Sequence, residues 1–115
     1  MIKVHIPGLR LPSLLNSRVH WRKLASTKKA QRYTARSAMR DLTIPPAPLV
    51  VTITRSGPRK LDDDNLHGAC KAVRDGIADS IGVDDGSDIY TWVYKQVIGL
   101  YAVTIEVKSD NTSSG

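Results

Sequence analysis

The sequence predicts one α/β domain in which two helices pack on a small mixed β-sheet. Alternating apolar and polar residues open the chain, an almost wholly apolar β-branched run lies near its middle, and apolar residues recur at helical spacing in two further segments. These patterns are typical of strands and helices, and they give the element order βαβαββ. A length of 115 residues fits a single domain with a modest core.

The N-terminal part of the chain contains one strand and one helix by these criteria. Ile2–Ile6 alternates between apolar and polar residues, and a Pro-Gly pair ends the strand. Residues 9–26 show no sustained period and are expected to form a structured loop. A helix is predicted over Lys28–Leu42, which lacks Gly and Pro, with Ser26 or Thr27 as its N-cap and three nearby prolines beyond its end.

The middle of the chain predicts a buried strand and a second helix. Leu49–Thr54 is β-branched and apolar, as a central strand covered on both faces would be. Asp64 or Asn65 can cap the helix that follows, and Gly82 can close it. The buried stripe of this helix is expected at Leu66, Cys70, Val73 and Ile77.

Two strands, at about Tyr90–Val97 and Tyr101–Val107, complete the predicted sheet. The domain is therefore expected to span residues 1–108, and residues 109–115 are expected to form a disordered tail.

Charge is distributed unevenly along the chain. Residues 1–60 carry 13 Lys and Arg against one acid, residues 61–115 carry 4 against 10, and the net charge is +6. This asymmetry predicts a polyanionic partner, nucleic acid before membrane, because no segment is apolar enough to span a bilayer and no secretory signal is visible. Cys70 is the one cysteine, which excludes an intrachain disulfide and fits a reducing cytoplasm.

Eight of the eleven acidic residues lie between Asp62 and Asp88. Such a density of carboxylates is costly unless solvent or a cation compensates it, and Mg²⁺ takes oxygen ligands of this kind. Asp62 and Asp64 would face the same way if their segment stays extended. Asp84 and Asp85 follow the predicted helix and would join them if their loop folds back. A carboxylate cluster beside a basic surface is expected of a metal-dependent phosphodiesterase that acts on nucleic acid.

Lys71 follows Asp64 by seven residues, which puts it on the same side of the helix, where its ammonium could reach a bound phosphate. A structural interpretation of the same residues stays open. Asp64 would then only cap the helix, Asp84–Asp88 would form a solvated turn, and Lys71 with Asp75 would form an exposed i,i+4 pair.

The acidic window also carries a family resemblance. The segments DDDNL (62–66), KAVRD (71–75) and DD (84–85) resemble, in order and approximate spacing, the D-x-D-N-L, K-A-x-x-D and D-D pattern of the RusA family of Holliday-junction endodeoxyribonucleases. The likeness is strong over residues 60–88, and the chain length and element order suit it. One departure is that the lysine follows the second acid by seven residues, whereas the family often has four; the extra residues amount to nearly one helical turn.

The resemblance implies Mg²⁺-dependent cleavage of four-way DNA junctions in recombination or repair, with Mn²⁺ able to substitute. It also implies a homodimer, because a junction presents two equivalent strands to be cut, and a bacterial, phage or prophage source with action in the host cytoplasm. The implied catalytic residues are Asp62, Asp64, Lys71 and Asp85. The implied metal ligands are Asp62, Asp64 and one of Asp84 or Asp85.

A run of basic residues without an acid precedes this window. These side chains are expected to contact DNA phosphates without reading bases. They are Arg18, Arg22, Lys23, Lys28, Lys29, Arg32, Arg36 and Arg40. Two other functions remain open: a non-catalytic DNA-binding module with a structural acidic cluster, and a metal nuclease that acts on flaps or RNA.

Overall fold

The structure is a computed structural model that describes residues 1–12 and 21–110, without the side chain of Trp21. Its elements are β1 (Ile2–Pro7), α1 (Trp21–Ala38), β2 (Leu49–Gly57), α2 (Asp63–Ile81), β3 (Tyr90–Ile98) and β4 (Ala102–Ser109). The predicted α/β domain, with two helices and a mixed four-stranded sheet, is confirmed. Neither helix is both long and apolar enough to cross a membrane.

The sheet has the strand order β1-β4-β2-β3. β2 lies inside it, as its sequence predicts, and pairs in parallel with β3 and antiparallel with β4. β1 pairs antiparallel with β4, so β1 and β3 form the two edges. Helix α2 connects the two parallel strands, so the acidic sequence that begins this helix follows the C-terminal end of β2.

Both helices lie on one face of the sheet. The inward-facing residues of the two central strands are fully buried with apolar side chains of both helices. The opposite face carries mainly Thr and charged residues of β2 and β4, among them Thr52, Thr54, Thr104, Glu106 and Lys108. The core therefore occupies a single layer between the sheet and the helix pair.

Helix α1 begins earlier than its sequence predicts. Trp21 is already helical, so the predicted loop is wrong over residues 21–26, as are the predicted caps at Ser26 and Thr27. Residues 9–12 form neither helix nor strand, as predicted, and residues 13–20 of that loop lie outside the described residues. The buried side of α1 includes Gln31, which is 3% exposed, and its neighbour one turn away, the half-buried Thr27. Polar residues on the buried side interrupt the apolar period from which the helix start was predicted.

The end of α1 also differs from the prediction. The helix stops at Ala38, and Asp41 adopts a left-handed conformation with φ of 63°. Asp tolerates this conformation better than most residues. The chain consequently leaves the helix before Leu42 and well before the prolines.

Helix α2 begins at Asp63 and is capped by Asp62, two residues before Asp64 and three before Asn65, the predicted caps. The Asn65 amide donates a hydrogen bond to Asp62 Oδ1 at 3.0 Å, which is the usual N-cap geometry. Asp63 and Asp64 are therefore helical, and the extended segment from which Asp62 and Asp64 were expected to face the same way is absent. Gly82 closes the helix, as predicted, and it does so in the left-handed conformation.

The two helices approach closely at Gly76. A Cβ atom at this position would collide with the carbonyl oxygen of Arg32 and would lie 2.9 Å from Ala35 Cβ. Because only glycine leaves this space, Gly76 sets the separation of α1 from α2 and hence the width of the groove between them.

The last strand extends into the predicted tail. Ser109 ends β4 and its hydroxyl donates to the Pro46 carbonyl at 2.6 Å, and the Asp110 amide donates to the Pro48 carbonyl. The rest of that predicted tail, residues 111–115, lies outside the described residues.

Candidate acidic site and nucleic-acid interface

Gln96 of β3 positions the start of the acidic sequence. Its side-chain amide forms two hydrogen bonds with Leu61, accepting from the amide at 2.9 Å and donating to the carbonyl at 2.6 Å. Leu61 and Leu66 flank the first turn of α2 at the positions of a hydrophobic staple, and both pack against the core. This arrangement fixes the direction in which the chain enters α2 and orients Asp62 to cap it.

The three consecutive aspartates, Asp62, Asp63 and Asp64, are all exposed at the N-terminus of α2. The partial positive charge of a helix N-terminus favours carboxylates there. In the described structure Asp62 therefore has a structural role as the cap of α2, and Asp63 and Asp64 are solvated carboxylates in its first turn.

Lys71 joins the second and third parts of the motif. Its ammonium lies 2.7 Å from Asp85 Oδ2 and 2.9 Å from Asp75 Oδ1, and the Lys71 side chain stays 53% exposed. The hydrogen bond to Asp85 raises the pKa of Lys71, and that to Asp75 adds to the effect. The same contact with Lys71 lowers the pKa of Asp85 below its usual value.

The loop after α2 is anchored by three side chains that sequence analysis did not assign to the site. Tyr90 donates its hydroxyl to the Val83 carbonyl at 2.7 Å. The Asp85 carbonyl accepts from Trp92 Nε1 at 3.0 Å and from an Arg74 guanidinium nitrogen at 3.1 Å. Because these hydrogen bonds to the Val83 and Asp85 carbonyls hold the loop backbone in place, the Asp85 carboxylate faces α2.

Arg74 is the centre of this anchor. Its Nε lies 2.9 Å from Asp85 Oδ2 and forms an ion pair without the angle of a directed hydrogen bond. The Arg74 guanidinium also lies over the Trp92 ring, 4.8 Å from the ring centroid, and donates a hydrogen bond to the Tyr94 hydroxyl at 2.9 Å. His67 in turn packs on Tyr94, with ring centroids 4.3 Å apart. Two features of the sequence could have indicated this anchor: Arg74 directly precedes the motif aspartate Asp75, and aromatic residues occupy alternate positions of β3.

The loop folds back only part of the way along α2. Asp85 contacts Lys71 and Arg74, and Asp64 lies seven residues, or about 10 Å of helix axis, before Lys71. Among the described residues, no three His, Cys, Asp or Glu side chains are grouped so that they could hold a metal ion. Of the predicted ligands, Asp62 and Asp64 thus lie at the start of α2 and Asp84 and Asp85 lie in the loop after its end, and metal binding by these residues stays a prediction.

The predicted phosphate-binding residues divide into several groups. Arg18 lies outside the described residues, and Arg22, Lys23, Lys28, Lys29, Arg36 and Arg40 are exposed on α1 or just after it. Arg32 instead forms a bidentate pair with Asp79 of α2, at 2.6 and 2.8 Å, so it is partly neutralised. This contact lowers the pKa of Asp79. Arg32 thus helps to join the two helices and is a less available phosphate ligand than its spacing suggests.

Three depressions on the helix side differ sharply in charge. One, of about 330 Å³, lies between the helices and is lined by Lys28, Lys29, Arg32, Lys71, Ala72 and Asp75. A second, of about 290 Å³, combines Arg32 with the carboxylates of Asp75, Asp79, Asp84 and Asp85. A third, of about 260 Å³, pairs Arg36 and Arg40 with Asp41 and Asp79. The first is here called the basic groove.

The sequence leaves Trp92, Val93 and Val97 of β3 equally suited to a dimer interface or to the core, and the structure places them on different sides of the strand. Trp92 pairs with Val51 in register and is half-buried on the helix side, where it holds the Asp85 carbonyl. Val93 alternates to the opposite face, as does the more exposed Val97. Trp92 is therefore a core and loop-anchoring residue, and the homodimer stays a prediction.

Comparison with known proteins identifies no family for the chain. No family model and no solved structure matches it. An uncharacterised protein of Xylella fastidiosa (strain Temecula1 / ATCC 700964) is 38% identical over 78 residues, which are 61% of this chain and 51% of that protein. The chain thus spans about half the length of this relative, whose name carries no function. The likeness to the RusA family consequently depends on the motif alone.

Proposed function

We propose that the protein is a structure-specific DNA endonuclease of the RusA type, which hydrolyses phosphodiesters at four-way junctions as a homodimer. The observation that carries the proposal is the contact between Lys71 and Asp85. These two residues belong to separate parts of the motif, and the fold brings their charged groups to 2.7 Å beside a groove rich in lysine. A half-exposed ammonium at this point can stabilise negative charge on a phosphate.

The residues that the motif assigns to catalysis are Asp62, Asp64, Lys71 and Asp85, and Mg²⁺ or Mn²⁺ is the proposed cofactor. The present arrangement supports defined roles for two of them. Lys71 is positioned to contact a phosphate from the groove, and Asp85 holds the Lys71 ammonium in place together with Asp75. A paired carboxylate also keeps Lys71 protonated, which suits an electrostatic role rather than that of a general base.

The test is incubation of the purified protein with an end-labelled mobile four-way junction and with a matched linear duplex, each with Mg²⁺, Mn²⁺ or EDTA. Paired symmetric nicks on the junction, abolished by EDTA, are expected. Asp64→Asn and Lys71→Met should abolish the nicks while junction binding persists. Asp88→Asn and Lys95→Met are matched controls, because both residues are exposed and lie outside the motif. Absence of cleavage with either metal, or equal activity of Asp64→Asn and Asp88→Asn, would refute the proposal.

A second candidate is a non-catalytic DNA-binding module. It is favoured by the structural use of the acids, since Asp62 caps α2 and Asp85 is neutralised by Lys71 and Arg74. This candidate predicts metal-independent binding to DNA with no cleavage of junctions, flaps or RNA. A third outcome is that the protein cuts flaps or RNA in preference to junctions and that the same variants are inactive. The protein would then be a metal-dependent nuclease with a substrate other than the four-way junction.

A further inference from the structure

The basic groove differs from the other depressions in that cations outnumber carboxylates four to one along its walls. The acidic depression has one Arg against four Asp, and the third has two of each. A dianionic or monoanionic group is therefore favoured electrostatically in the basic groove and not in its neighbours. A volume of about 330 Å³ is also at the small end of the range for ligand sites, which suits one phosphate with part of its sugar.

The four cations of the groove are not equivalent. Arg32 is bound to Asp79 through two hydrogen bonds, and Lys71 is bound to Asp75 and Asp85. Lys28 and Lys29 are exposed, and within residues 1–12 and 22–110 no carboxylate lies within ion-pair distance of either. The uncompensated charge of the groove is consequently concentrated at its α1 wall, directly across from Lys71.

We infer that the basic groove binds one backbone phosphate of the DNA next to the phosphate that Lys71 contacts, with Lys28 and Lys29 as its ligands. The inference rests on the proposed function, because it takes DNA as the ligand. It narrows the predicted phosphate-binding set to two lysines at a defined place. Arg32 acts there as a positioning residue, which holds α1 against α2 and so keeps Lys28 and Lys29 opposite Lys71.

Gly76 makes this placement possible. Because the helices touch at Gly76, the groove wall formed by α1 stands close enough for its lysines and Lys71 to line one depression. Two adjacent phosphates of one strand could therefore be contacted together, one by Lys28 and Lys29 of α1 and the next by Lys71 of α2, whereas basic residues spread over an open surface would contact distant phosphates.

The test uses junctions in which one phosphate at a time is replaced by a neutral methylphosphonate. Binding is measured in EDTA, so that cleavage does not interfere. The proteins compared are wild type, Lys28→Gln/Lys29→Gln, and the control Lys95→Gln/Lys108→Gln, which removes two exposed lysines from outside the groove. The charge-retaining variant Lys28→Arg/Lys29→Arg completes the set.

The groove variant is expected to bind the unmodified junction about 8-fold more weakly per lost phosphate contact at 0.1 M salt, with a salt slope shallower by about 0.9 per contact. Wild type should lose affinity when one or two particular phosphates beside the cut position are neutralised. The groove variant should be insensitive at those same phosphates, and the arginine variant should regain the sensitivity. Such coupling identifies a contact that general electrostatic attraction does not produce.

Three results would overturn the inference: additive effects at every phosphate, equal losses in the groove and control variants, or no DNA binding by any of the proteins. Failure of the proposed function appears differently. Phosphate coupling to Lys28 and Lys29 without cleavage in Mg²⁺ or Mn²⁺ would refute the nuclease and retain the groove as a DNA-binding site. Cleavage of the junction without coupling to Lys28 and Lys29 would retain the nuclease and refute the groove as a phosphate-binding site.

Discussion

Lys71 Nζ and Asp85 Oδ2 lie 2.7 Å apart, although the two residues are fourteen positions apart in the chain with the C-terminal half of α2 between them. The contact exists because Gly82 reverses the chain and because Trp92 and Arg74 both bind the Asp85 carbonyl. It connects two parts of a sequence motif that would otherwise be only neighbours in order. Its strength and its dependence on pH are directly measurable.

The Asp85 ion pairs should make stability depend on pH in acid. The folded-state pKa of Asp85 is lowered, first by Lys71, so the unfolded protein binds more protons as the pH falls. The pairs thus stabilise the fold above the ordinary Asp range, and their contribution is lost as the pH falls through the lowered folded-state value. Asp85→Asn should reduce the free energy of unfolding by roughly 1 kcal/mol at pH 7, since Lys71 is half-exposed and screened.

Urea unfolding of wild type and Asp85→Asn between pH 7 and pH 2 measures this effect. The difference between the two proteins should shrink towards zero at the acid end. A difference that is constant across the whole range would show that the amide substitution acts through packing and not through the charge of Asp85.

Two glycines of α2 should respond oppositely to the same substitution. Gly76→Ala is expected to destabilise the protein by about 1 to 3 kcal/mol, because the new methyl group collides with the Arg32 carbonyl and crowds Ala35. Gly68→Ala meets nothing within 4 Å and should stabilise the helix by about 0.5 to 1 kcal/mol. Thermal and urea unfolding of both variants test the close helix crossing, and equal effects would contradict it.

Gln96 should stabilise the start of α2 from the neighbouring strand. Gln96→Ala removes both hydrogen bonds to Leu61 and leaves that backbone amide and carbonyl unpaired, at a cost of about 1 to 3 kcal/mol. Hydrogen exchange of amides in the first turns of α2 should accelerate more than exchange near Ile77. The control is Lys95→Ala on the same strand, whose side chain is exposed and forms no ion pair within the described residues. Uniform acceleration along α2 would argue against a local role.

Cys70 should be unreactive in the folded protein. It is fully buried, and burial raises the pKa of its thiol to about 12, so almost no thiolate forms near neutral pH. A thiol reagent such as DTNB at pH 8 should label the native protein only at the rate of unfolding and the urea-unfolded protein within its ordinary reaction time. Rapid labelling of the native state would show that α2 opens independently of the core.

The number and type of the elements could be predicted from the sequence, because binary patterning of apolar residues specifies which faces are buried. Ile2–Ile6, Leu49–Thr54 and the stripe through Leu66 and Ile77 predict their elements correctly, and the closure of α2 at Gly82 is predicted from residue type alone. The pattern failed at the start of α1, since its buried side includes Gln31, whose Nε2 donates to the Arg10 carbonyl. A buried polar residue whose hydrogen-bond partner lies in a distant segment does not extend the apolar periodicity from which a helix is predicted.

The partners of the charged residues, by contrast, depend on how the elements pack together. Sequence spacing indicated that Lys71 is placed for chemistry, but only the folded loop shows that Asp85 reaches Lys71 and not the aspartates at the helix start. Spacing likewise predicted that Arg32 and Lys28 are equivalent phosphate ligands on one face of α1. Arg32 instead forms an ion pair with Asp79 of α2, where Gly76 allows the two helices to approach closely. Periodicity specifies the face on which a side chain lies, whereas its partner depends on which other elements pack against that face, and that information is non-local.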